Sequence, residues 1–137
     1  MGKFFKTSLC AALISISAAI SLHSQNNAGY DVFVPISKYI SQGDSDKLSA
    51  WFADNLEVCI RASSNTSSKS QARQIIKSFF ESYSPSSFNI SHTAGQGNMK
   101  YALGTLKAGG SSFLVTIFVN LDGEEYKIQQ IKIDPAN

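Results

Sequence analysis

From Phe88 to Ile133 the chain sets out four runs that alternate apolar and polar residues, joined by three tight-turn signals. Phe88-Asn89-Ile90-Ser91-His92 leads to Gly95-Gln96-Gly97-Asn98, the run Met99 to Lys107 to Ala108-Gly109-Gly110-Ser111, and the run Phe113 to Leu121 to Asp122-Gly123. Tyr126 to Ile133 closes the series. Period-two alternation turns one face of each run to a core and the other away from it, and Asp-Gly is among the strongest hairpin signals. A series of hairpins can build only an antiparallel sheet, and the apolar face of that sheet needs a cover.

The cover lies upstream. Phe33, Pro35, Ile36, Tyr39 and Ile40 follow Asp31 at helical spacing, with Pro35 tolerable in a first turn, and Gln42-Gly43-Asp44 ends that helix. Asp44 or Ser45 can cap a second short helix carrying Leu48, Trp51 and Phe52, with Asp54-Asn55 as the turn out of it. Leu56 to Arg61 alternates as a strand does. Ser68 and Gln71 then form a Ser-x-x-Gln capping box before Ala72, Ile75, Ile76, Phe79, Phe80 and Tyr83, which mark a third helix stopped by Pro85. The polar patches Ser63–Ser68 and Ser84–Ser87 read as loops. Helices segregated from hairpins predict an α+β domain, with three helices in the N-terminal part packed on one face of a curved, mostly antiparallel sheet.

The first two dozen residues fall outside this pattern. Lys3 and Lys6 precede an uncharged stretch from Leu9 to Leu22, which predicts a cleaved secretory leader over residues 1–24. The stretch is shorter than the ~20 residues of a membrane span, so no stable membrane span is expected. Residues 25–30 read as a flexible segment and 31–134 as a single domain. Of 137 residues, 12 are basic and 10 acidic; the leader takes Lys3 and Lys6 and no acid, leaving the mature chain neutral. Cys10 and His23 leave with it, so Cys59 and His92 stand as the mature chain's lone cysteine and lone histidine. The expected location is periplasmic or extracellular.

The stretch Tyr39-Ile40-Ser41-Gln42-Gly43-Asp44-Ser45-Asp46-Lys47-Leu48-Ser49-Ala50-Trp51-Phe52-Ala53-Asp54-Asn55-Leu56-Glu57-Val58 resembles the opening motif of the nuclear transport factor 2-like superfamily: Gly-Asp, then Leu, then Phe-Ala-Asp-x-Leu. Ala72 to Phe80 is similar to its third helix. With the ending Gln129-Gln130-Ile131-Lys132-Ile133, the chain resembles the secreted domain of unknown function 4783 family over residues 30–134. The resemblance implies a cone-shaped nuclear transport factor 2-like or cystatin-like fold, a strongly bent sheet that often leaves a pocket, sheet-to-sheet homodimers, and a bacterial source. A bacterial source removes the weight of the sequons at Asn65 and Asn89. These motifs encode turns and packing, not an activity.

Candidates for chemistry are sparse. Asp31, Asp44, Asp46, Asp54, Asp122 and Asp134 all fall at predicted element ends or turns, away from any pocket. Glu57 reads as one half of a solvated pair with Arg61, against the alternative of a pocket acid. His92 alternates with Phe88 and Ile90, which puts it on the expected concave face as a weak candidate base. Trp51, Tyr83 and Tyr101 carry polar tips on apolar rings and are expected, with His92, to line the mouth of a ligand pocket. One histidine and one cysteine cannot assemble a zinc site, Gly95-x-Gly97 lacks the helix a dinucleotide fingerprint requires, and Cys59 reads as a packing residue. No cofactor or metal is expected. Lys and Arg are dispersed among acids, so no nucleic-acid partner is expected either. Three readings result: a noncatalytic module for an unknown small molecule or protein segment, a cofactor-free enzyme using a pocket His and Tyr, and a structural homodimer through the sheet. The strand Phe113–Leu121, apolar on both faces, favours the last.

Overall fold

A computed structural model describes residues 30–136. The proposed leader, with Cys10 and His23, lies outside the described residues. Helix α1 (Phe33–Gln42) is followed by the short α2 (Ser45–Ser49), strands β1 (Phe52–Ile60) and β2 (Ser63–Ser68), helix α3 (Lys69–Ser82), and four long strands: β3 (Pro85–Gln96), β4 (Met99–Ala108), β5 (Ser111–Asp122) and β6 (Glu125–Pro135). The fold is α+β, with one six-stranded sheet in the order β2-β1-β6-β5-β4-β3. All pairings are antiparallel except β1 with β6, which run parallel and bring the two ends of the domain together at the sheet centre.

Local signals set the element ends. Gly43 takes φ 68° after α1, its N–H bonds Ile40 O, and Asp44 N–H reaches back to Tyr39 O, as in a Schellman turn. The Asp44 carboxylate then accepts from Lys47 N–H at 3.0 Å and starts α2. At α3 both arms of the capping box form: Ser68 Oγ accepts from Gln71 N–H, and Gln71 Oε1 accepts from Ser68 N–H.

Three expectations need correction. The third helix is set further from the first two than expected, because two strands, β1 and β2, and not one, separate it from α2. Residues 63–68 form strand β2, not a loop, and pair with β1 from Asn55↔Ser68 to Ile60↔Ser63. Such a strand escapes a search for apolar alternation because it lies at the sheet edge, where a short polar strand is also a protection against aggregation. Lastly, α2 stops at Ser49, and Phe52 to Asn55 belong to β1, not to a helix and a turn. Trp51 O accepts from Ile128 N–H at 2.6 Å, so the chain leaving α2 is already bound to β6.

The core lies between the helices and the inner face of the sheet. Ile36 and Ile40 of α1, Leu48 of α2, and Ala72, Ile76, Phe79 and Phe80 of α3 meet Val58, Leu106, Val115, Ile117, Val119, Ile128, Ile131 and Ile133, all buried. Burial of apolar area on this scale is the main source of stability in a chain with a single unpaired cysteine among the described residues. Register shifts interrupt the ladders between Pro85 and Ser87, between Ile90 and His92, between Phe118 and Val119, and between Phe52 and Glu57.

Candidate functional site

The centre of the inner space, between α3 and the middle of the sheet, is filled. What remains there is a void of about 10 Å³ walled by Ile40, Leu48, Ile76, Phe80, Val115, Ile131 and Ile133. A void of that size with wholly apolar walls is at the limit for even a single water, and a water would find no polar partner. The centre of the concave face is therefore closed by side chains, whereas toward β1 and β2 a cleft of about 350 Å³ stays open between α3 and the sheet, lined by Val58, Ile60, Asn65, Ile75, Phe79 and Tyr83.

The four nominated residues occupy three places. His92 is on the outer face, away from the helices, because Ser91 is an extra residue: Ile90 pairs with Gly104 and His92 with Leu103. A bulge of one residue inverts the sides of everything after it, so the alternation that placed His92 beside Phe88 and Ile90 ends at residue 90. His92 does meet Tyr101, with ring centroids 5.9 Å apart, and Tyr101 meets Phe118 at 5.5 Å. Tyr83 lies elsewhere, at the end of α3, against Phe79 and Phe113 at 5.1 Å each. Trp51 is half-buried in the connection between α2 and β1 and lines none of the clefts described below.

The outer face is mixed in character. Phe118, Tyr101, Leu103 and Leu114 run across β5 and β4, and Leu114 is 42% exposed and Met99 49% exposed. Beside them Glu57 accepts from Ser64 Oγ and from Gln130 Nε2, both at 2.6 Å. Glu57 thus pairs with its cross-strand neighbours on β2 and β6, not with Arg61. A groove of about 430 Å³ runs along Glu57, Gln130, Phe118 and Met99. Lys132 and Asp134 form an ion pair of 3.7 Å on the same face.

Arg61 is the residue the sequence reading passed over. It begins the two-residue turn between β1 and β2, and its Nη1 donates to Tyr83 Oη at 2.6 Å while its guanidinium lies 5.8 Å from the centre of the Tyr83 ring. The available signal was the pair Arg61-Ala62 between two runs of matching length, hidden because the second run is almost entirely Ser, Asn and Thr. Among the described residues no three His, Cys, Asp or Glu side chains gather as metal ligands, and no helix is long and apolar enough to cross a membrane.

Comparison with known proteins agrees with the architecture. A family model described as "Domain of unknown function (DUF4783)" matches residues 33–134. The chain is similar to a DUF4783 family protein from Bacteroides ovatus, 26% identical over 76% of this chain and 94% of that one, with a TM-score of 0.74. A second, from Bacteroides uniformis, is 24% identical over 75% of this chain and 95% of that one, at 0.73. A nuclear transport factor 2-like protein of unknown function from Cytophaga hutchinsonii has 7% identity over 76% and 86% of the two chains and a TM-score of 0.58, a likeness of fold alone. No curated protein matches.

Proposed function

The chain belongs to the DUF4783 family, so its function is carried on a nuclear transport factor 2-like frame, and we propose that this frame serves as an exported, noncatalytic protein-interaction module working through the outer face of its sheet. The four register shifts are, in this reading, the bend points that give the sheet its cone shape, since bulges bend the strand that carries them. One observation carries the proposal: the centre of the interior is filled, while the outer face presents Phe118, Tyr101, Leu103, Leu114 and Met99 with no element over them among the described residues.

The occupant proposed is a second copy of this chain. A two-fold interface must be self-complementary, and this face offers an apolar centre with one cation and one anion, Lys132 and Asp134, beside it. The neutral mature chain adds no net repulsion between copies. The enzymatic reading is weaker, because His92 and Tyr101 sit side by side on an open face that excludes no water.

Light scattering on the eluting mature protein tests this. The expected mass is twice that of one chain, and Phe118→Lys, which sets a charge in the apolar centre without touching the inner core, should return the mass of one chain with an unchanged circular dichroism spectrum. A wild-type protein that stays monomeric at concentrations of about 1 mM, where even weak pairs form, would sink the proposal.

A further inference from the structure

The hairpin joining β1 to β2 turns on Arg61 and Ala62, with φ 52° and 74°. Both central residues of such a turn sit in the left-handed region, which favours Asn and Gly and disfavours any residue with a full side chain. The turn places an arginine over the Tyr83 ring, and a guanidinium so placed is fixed in direction by both the ring face and the phenol oxygen. The tyrosine is held in turn: at Gly109, φ 58°, a Cβ would come within 3.1 Å of Tyr83 Cα, so any other residue would meet both backbone strain and a tight contact where the β4–β5 turn closes against it.

Between these two turns lies a cleft of about 330 Å³ lined by Arg61, Tyr83, Ser111, Ser112 and Phe113. Its polar content is one-sided. The ion pairs among the described residues are Arg73 with Asp46 and Lys132 with Asp134, so among those residues no carboxylate lies within 4 Å of the Arg61 guanidinium. A guanidinium has five N–H donors, and among the described residues only Nη1 meets a side-chain acceptor. The Ser111 and Ser112 hydroxyls have no side-chain partner there either. The cleft thus combines a single cation with further hydroxyl donors beside two aromatic rings.

From this arrangement we infer that the cleft binds a small monoanion, a planar carboxylate. One guanidinium balances one negative charge, and its fork matches the two oxygens of a carboxylate. The Ser111 and Ser112 hydroxyls beside the guanidinium offer further donors to the same group. This site is on the helix side of the sheet and is independent of the outer-face interface.

Benzoate, benzamide and inorganic phosphate, each titrated into the ¹⁵N-labelled mature protein and followed by amide chemical shifts, test the inference. Benzoate should move the amides of Arg61, Ser111 and Ser112 saturably, and benzamide, the same shape without the charge, should bind at least about tenfold more weakly, as expected for loss of a charge-assisted pair. Arg61→Gln should weaken benzoate by a similar factor, and Arg61→Lys, which keeps the charge and loses the fork, should also weaken it. Equal shifts from benzamide would overturn the inference without any variant being needed. So would phosphate binding more tightly than benzoate, or no saturable shift from benzoate at all.

Discussion

Gly104 shows how narrowly one residue can be constrained. It stands on the inner face of β4 opposite Ile90, and a Cβ there would lie 2.7 Å from Asn89 O and 2.8 Å from the Phe88 ring. The ring could shift, but the carbonyl belongs to the neighbouring strand and cannot move without breaking the ladder. Gly104→Ala should therefore destabilise by about 1–3 kcal/mol, the usual range for overpacking, measurable as a lower midpoint in urea. An unchanged midpoint would mean that Phe88 is not held over this position. His92 makes the complementary point. Its residue type and its alternating neighbours were plain in the sequence, but its side of the sheet depended on the bulge at Ser91, and nothing in Asn89-Ile90-Ser91-His92 distinguishes a bulged run from a regular one.

Among the elements, α3 was the most legible because two signals of different origin coincide in it. Helical spacing of Ala72, Ile76, Phe79 and Phe80 describes its buried face, and the Ser68–Gln71 box describes its start. Ser68→Ala removes the side-chain acceptor for Gln71 N–H and should cost about 1 kcal/mol, read as a drop of several degrees in melting temperature. No drop would mean that the neighbouring Ser70 hydroxyl, 3.4 Å from Ser68 Oγ, takes over the cap. Strand β2 was illegible for the opposite reason. Its pairing with β1 uses backbone groups that every residue has, while its side chains are polar because Ser67 alone among them is buried. Misreading β2 as a loop also hid the turn before it, and with that turn the place of Arg61.

At the scale of the whole molecule, export and assembly are the properties to be tested. If residues 1–24 are a leader, the protein recovered from outside the cytoplasm should have a mass corresponding to a start near residue 25, whereas recovery of the full chain there would contradict cleavage. The order of the three helices and of the hairpins from β3 to β6, the capping signals and the apolar faces were determined by the sequence alone, since each depends on residues within about four positions of one another or on strict alternation. Membership of a fold superfamily followed from the same local motifs. Whether the interior held a pocket was decided only by the tertiary structure, because packing Ile40, Leu48, Ile76 and Phe80 against Val115, Ile131 and Ile133 leaves a void that depends on the fit of seven side chains drawn from distant parts of the chain. The meeting of Arg61 with Tyr83, 22 residues apart, likewise required two turns and a helix end to converge. Local chemistry encodes such elements directly, whereas a site made between elements exists only once long-range packing has fixed their relative positions.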